Sequence, residues 1–161
     1  MSVSRVDGLA SGPQGSEQVF EARKRFVRLH AAEAIAKGDL VAFDFTLDSG
    51  AEQDPGHGVR IKRADVDDTS NDFLNQVVGV AAEAISSGEI GAVQVSGRCT
   101  FCKISGSTDP GLLLKANATA GNGGQAYAGD EIMLPFGMII KYSGNANAAD
   151  SDVYLINPMN L

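Results

Sequence analysis

The sequence is poor in several features that mark common protein classes. It has no Trp, aromatic residues make up only 6% of its 161 residues, and Gly is abundant at 19. A core of small aliphatic side chains with many backbone bends favours β structure with turns over a helical bundle. No run approaches the ~18 apolar residues of a membrane span, and the N-terminus lacks the apolar centre of a signal peptide. We therefore expect synthesis in the cytoplasm and no membrane partner.

Positive charge is also scarce. The formal net charge is −7, and binding to nucleic acid requires clustered Lys and Arg, so we expect no nucleic-acid partner. The exception is a basic cluster near the N-terminus: Arg23, Lys24, Arg25 and Arg28. Such a cluster on an acidic chain suits docking to an acidic partner, although a solvated strand face explains it equally well.

Only two cysteines are present, Cys99 and Cys102, within the motif CTFC. The spacing is that of a redox pair or of half a zinc site. No second CxxC accompanies it, and in an alternating run positions three apart should face opposite sides of a strand. We interpret both cysteines as structural.

Other candidate sites lack residues that their chemistry requires. The acidic run at residues 65–72 departs from a calcium-binding loop at Ser70 and Gln76, where Gly and Glu are needed. His57 has no nucleophile signature beside it, and GNGG at residues 121–124 lacks the Lys-Ser or Lys-Thr of a phosphate-binding loop. We expect no metal, no cofactor and no enzymatic activity.

What the sequence does contain is a repeated phrase. AAEAIAKGDLVAF at residues 31–43 returns as AAEAISSGEIGAV at residues 81–93. Gly38 and Gly88 would end a helix too early for it to be stable, and glycine supplies the positive φ that tight turns require. Each copy therefore predicts strand, turn, strand. A degraded third copy places Gly129 at the turn position.

Short apolar runs separated by turn signals predict an all-β fold, either a sandwich or a small β-barrel. Residues 1–25 begin with few apolar anchors and predict a flexible N-terminal arm, followed by a single β domain over residues 26–161. A short helix over residues 21–25 is an alternative for the end of the arm. The segment RIKRADV, which begins at Arg60, predicts an edge strand. Residues 106–124 predict a glycine-rich loop.

Three segments, AAEAIAKGDLVAFDF, RIKRADVDD and NQVVGVAAEAISSGEIGAVQVSGRCTF, together resemble the small decoration proteins of tailed-bacteriophage capsids, also called cement or head-stabilisation proteins. The resemblance covers about residues 26–104 and rests on turns of small residues. It implies a β-barrel or β-tulip fold, a homotrimer, and attachment to the major capsid protein on the outer surface of the virion at three-fold or quasi-three-fold sites. It also implies that the arm, here with Arg23, Lys24, Arg25 and Arg28, completes the contact with the shell.

Two other classes remain open. A particle-exposed β-barrel module that binds carbohydrate or a host surface would share the fold, but it should line a pocket with aromatic side chains. A β-clip enzyme would share a turn of the A-x-x-x-G-D type, which lies here at residues 34–39, but it should bring His, Asp or Ser side chains together.

Overall fold

The computed structural model describes residues 24–44, 60–64, 77–106, 109–117, 125–126 and 135–156. Within these ranges the chain forms β-strands and no helix. The strands are β1 (Arg25–Ala31), β2 (Leu40–Asp44), β3 (Arg60–Arg63), β4 (Val77–Ala81), β5 (Ile90–Cys102), β6 (Leu113–Lys115), β7 (Gln125–Ala126), β8 (Gly137–Lys141) and β9 (Ser151–Leu155). The prediction of an all-β fold is confirmed.

Five of these strands form a closed barrel, in the order β1, β3, β2, β4, β5 and back to β1. Strand β1 closes the barrel by running antiparallel to β5, with His30 opposite Ile90. Strand β3 lies parallel to β1 and antiparallel to β2. The prediction of an edge strand at Arg60 is therefore wrong, because β3 is inserted between two strands and pairs on both sides. The prediction of a small β-barrel is confirmed.

The remaining strands extend the sheet outside the barrel. Strand β5 is 13 residues long: its first half pairs with β1 and β4, and its second half, from Gly97 onward, pairs with β9. Strands β8, β6 and β7 follow β9 in that order. We call β9, β8, β6 and β7 the outer sheet.

Two apolar cores hold these layers together. One fills the barrel, and the other lies between the barrel wall and the outer sheet. Strand β2 contributes side chains to both cores, because Val41 faces the barrel interior while Leu40 and Ala42 face the outer sheet. Strand β4 is buried along its whole length for the same reason. The near-continuous apolar runs of these two strands reflect burial on both faces.

The two repeated phrases pair with each other about a local two-fold relation. Ile35 and Ile85 exchange backbone hydrogen bonds in both directions, with N···O distances of 2.9 and 2.8 Å. The strand before the turn in each copy pairs with the strand after the turn in the other, β1 with β5 and β4 with β2. Strand β3 has no counterpart in this relation, and its insertion makes the barrel five-stranded.

The turn glycines occupy equivalent positions in this arrangement. The N–H of Gly38 donates to the carbonyl of Ala81, and the N–H of Gly88 donates to the carbonyl of Ala31, at 2.8 Å in each case. Their φ angles are +84° and +82°, a region that glycine adopts without steric cost. The strand-turn-strand prediction is confirmed in both copies, and Gly129 lies outside the described residues.

Candidate docking surface

Two basic segments that are distant in the sequence meet on the outside of the barrel. Strand β1 carries Arg25 and Arg28, and β3 carries Arg60 and Lys62. The two strands are parallel neighbours, with His30 opposite Arg60. Arg28 and Lys62 point outward because they alternate with side chains that pack in the barrel interior. The sheet pairing therefore assembles one basic surface from two segments.

The charge of this surface contrasts with that of the whole chain. Four of its side chains are cationic, and one of these, Lys62, has its ammonium 3.2 Å from the carboxylate of Asp44, whose side chain is 1% exposed. The complete sequence has a formal charge of −7. Segregation of opposite charges steers association with an acidic partner and fixes its orientation.

Two large apolar side chains lie exposed beside these cations. Phe26 is 49% and Ile90 is 55% exposed. Arg28 joins Ile90 to the basic surface, since its guanidinium donates to the carbonyl of Ile90 at 3.3 Å. Aromatic and Arg side chains are enriched where protein interfaces are centred. We call this surface the basic face and define it by six residues: Arg25, Phe26, Arg28, Arg60, Lys62 and Ile90.

Arg63, the last residue of β3, supports the fold at the end of the barrel. Its side chain pairs with Glu33 at 3.2 Å, and its backbone N–H donates to the same carboxylate at 2.9 Å. The N–H of Ala32 donates to the carbonyl of Ile61 at 2.9 Å. The loop of the first repeat therefore fixes the position of β3, and with it the position of Arg60 and Lys62 on the basic face.

The structure places the residues predicted for the arm as follows. Arg25 and Arg28 lie in β1, Lys24 directly precedes that strand, and Arg23 lies outside the described residues. Sequence reasoning missed Arg60 and Lys62 as members of the same surface. Their alternation with Ile61 in RIKR was the available signal, but nothing local indicated that β3 would lie beside β1.

Both cysteines lie in the core between the barrel and the outer sheet. The expectation that Cys99 and Cys102 face opposite sides is wrong, because the pairing of β5 with β9 shifts register between them. Burial raises the pKa of Cys99 from 9.0 to about 12 and raises the pKa of Cys102 well above 9.0. Both thiols are neutral at physiological pH, and they fill core volume as small apolar groups do.

No group of three or more His, Cys, Asp or Glu side chains within the described ranges could hold a metal ion. The same part of the chain contains no helix long and apolar enough to cross a membrane. The candidate calcium, histidine and phosphate sites of the sequence all lie outside the described residues, at residues 65–72, 57 and 121–124.

The chain matches no protein-family model and no curated protein. Its fold is similar to the crystal structure of the N base of the head fiber gp8.5 of bacteriophage phi29, with a TM-score of 0.52 and 12% sequence identity. The match covers 83% of this chain and 95% of that chain. The two chains thus share a fold over nearly all of the phage base.

Proposed function

We propose that this chain is a structural protein of a phage virion that binds the outer surface of the capsid and stabilises the head. The observation that carries the proposal is the basic face, a surface with four cations and two exposed apolar side chains on a chain of net charge −7. The fold shared with a phage head-fiber base supports the same conclusion, as does the resemblance of the repeated segments to capsid decoration proteins.

In this proposal the basic face contacts an acidic region of the major capsid protein. Phe26 and Ile90 lose their remaining exposure in the contact, which supplies affinity, and the surrounding cations supply orientation. The arm of residues 1–25, with Arg23 and Lys24 near its end, leads directly into β1. Binding of the barrel therefore brings the arm to the shell surface, where it adds a second contact.

We further propose a homotrimer at three-fold or quasi-three-fold sites of the shell. The barrel strands pair on both sides, so trimer contacts made by the barrel would use side-chain surfaces rather than strand edges. The outer sheet offers one, since Leu113, Met138 and Ile156 are 37%, 39% and 42% exposed, and Leu113 lies opposite Met138 in the strand register. Sedimentation velocity should detect a species with three times the 16.7 kDa mass of the chain, free in solution or formed on heads. A monomer under both conditions would contradict the trimer.

The capsid proposal is tested by adding purified protein to phage heads that lack it and measuring binding across a salt series. The double variant Arg25→Gln and Arg28→Gln should bind about tenfold more weakly at low salt. This difference should shrink as ionic strength passes ~0.15 M, where the screening length falls to ~8 Å. Lys141→Gln, which removes an exposed cation from β8, is the matched control and should bind as the parent does. Equal binding by the double variant at every salt concentration would refute a role for the basic face.

A further inference from the structure

The two turns of the repeat have the same backbone geometry but different surroundings. We call residues 35–40 turn one and residues 85–90 turn two. We propose that turn two is a docking site for an extended segment of the capsid shell that carries a lysine, bound as this chain's own Lys103 binds turn one. The inference rests on the proposed function, because it takes the shell as the source of that segment.

Turn one is covered by the end of β5 and the residues after it. The backbone N–H of Lys103 donates to the carbonyl of Gly38 at 3.1 Å, and its ammonium pairs with the carboxylate of Asp39 at 2.5 Å. A Cβ added at Gly38 would lie 2.5 Å from the carbonyl oxygen of Phe101 and 2.6 Å from Cβ of Ala149. This turn is therefore recognised by a backbone hydrogen bond, an ion pair and close packing together.

Turn two presents the same groups to solvent. Glu89 takes the position of Asp39, and a Cβ added at Gly88 would have no atom within 4 Å. Ile90 is 55% exposed, whereas its counterpart Leu40 is completely buried. Glu89 is exposed, whereas Asp39 is 3% exposed. The carbonyl, carboxylate and aliphatic group that bind the cover of turn one are thus repeated at turn two, where no cover is present among the described residues.

The position of turn two indicates which partner would cover it. Ile90 belongs to both turn two and the basic face, and the guanidinium of Arg28 bonds to its carbonyl. A partner that covers the basic face must therefore also meet turn two. The carboxylate of Glu89 requires a cation in that partner, beside the acidic groups that face Arg25 and Arg28.

An extended segment fits this site better than a helix. At turn one the hydrogen-bond donor is the backbone of a chain leaving strand β5, with Lys103 following Cys102 directly. An α-helix uses its interior N–H groups internally and has none to offer to a turn carbonyl. An extended chain leaves alternate N–H groups available and can place a lysine side chain on the carboxylate at the same time.

The test compares matched substitutions in the two turns, with binding to heads that lack the protein as the assay. Glu89→Gln should weaken binding about tenfold, and Ile90→Ser about fivefold, with melting temperatures unchanged because both side chains are exposed. Asp39→Asn, at the equivalent position of turn one, should lower the melting temperature but leave binding unchanged below it. Asp109→Asn removes an exposed charge elsewhere and should change neither quantity.

Cross-linking then identifies the occupant. Carbodiimide treatment of decorated heads joins a carboxylate to a nearby amine, and mass spectrometry should find Glu89 joined to a lysine of the major capsid protein. A link from Glu89 to a second copy of this chain would overturn the proposal in favour of self-association. Parental binding by Glu89→Gln and Ile90→Ser would overturn it while leaving the capsid function intact. Failure of the parent protein to bind heads would refute the capsid function itself.

Discussion

The two turn glycines allow conformational strain to be separated from steric contact. Gly38 and Gly88 have φ angles of +84° and +82°, so replacement by Ala imposes the same backbone strain at both. Only at Gly38 does the added methyl group meet backbone, with the carbonyl oxygen of Phe101 at 2.5 Å. A backbone atom at that distance cannot move aside as the end of a flexible side chain can, so the two substitutions should have unequal effects.

We expect Gly88→Ala to lower the free energy of unfolding by about 1 kcal/mol, because left-handed strain is partly offset by the lower entropy of the unfolded chain. Gly38→Ala should cost about 3 kcal/mol, since overpacking adds about 2 kcal/mol. For a chain of this length the expected decreases in melting temperature are about 3 °C and about 9 °C.

Urea unfolding followed by far-ultraviolet circular dichroism measures both values without relying on Trp, which the chain lacks. Gly88→Asn is the control, because Asn tolerates positive φ and should cost less than Ala at the same position. Equal losses for Gly38→Ala and Gly88→Ala would show that the cover over turn one exerts no steric constraint, and would refute this reasoning.

Three further changes test other contacts. Lys103→Met leaves the buried carboxylate of Asp39 without its cation and should cost about 3 kcal/mol in urea unfolding. Arg63→Met should cost less than about 1 kcal/mol, because the side chains of Arg63 and Glu33 are 38% and 34% exposed; similar costs would contradict the assignment of Asp39 and Lys103 as the stronger pair. Because the pKa of Cys99 is raised in the folded chain, its thiol ionises at lower pH in the unfolded chain than in the folded one. Its contribution to the free energy of unfolding is therefore complete below pH 9.0 and decreases by about 1.4 kcal/mol per pH unit up to about pH 12. Cys99→Ala should therefore lose stability less steeply than the parent between pH 9 and 11, and parallel slopes would argue against a buried neutral thiol. Deletion of residues 2–22 should preserve the melting temperature and weaken binding to heads at least tenfold, whereas undiminished binding across a salt series would exclude the arm from the contact.

Local features of the fold could be predicted because their physical causes are local. The turns at Gly38 and Gly88, and the strands on either side of each turn, followed from the backbone freedom of glycine within a repeated phrase. The sequence predicts a glycine-rich loop where strand β6 lies, because a strand of only three residues is too short to show alternation. Its pairing with β8 and β7 gives it strand structure.

Nonlocal pairing explains the larger errors. The strand at Arg60 was recognised, but its place between β1 and β2 depends on contacts across the barrel that its own residues do not encode. The basic face was therefore predicted from β1 alone, without Arg60 and Lys62. The shared core of Cys99 and Cys102 was missed for a related reason, since a register shift between paired strands overrides the simple alternation of a single strand.

The closure of the barrel by β1 and β5 constrains the order in which the chain can fold during synthesis. Strand β1 leaves the ribosome before its partner β5, which begins at Ile90, so the barrel cannot close until β5 has been made. Turn one stays uncovered longer still, until Lys103 and Ala149 have emerged. Pairings across such sequence separations form slowly and leave apolar strands exposed meanwhile. The first repeat therefore stays exposed to solvent until residues more than a hundred positions later have been translated. A nascent chain arrested before Ala149 should be a substrate for chaperones.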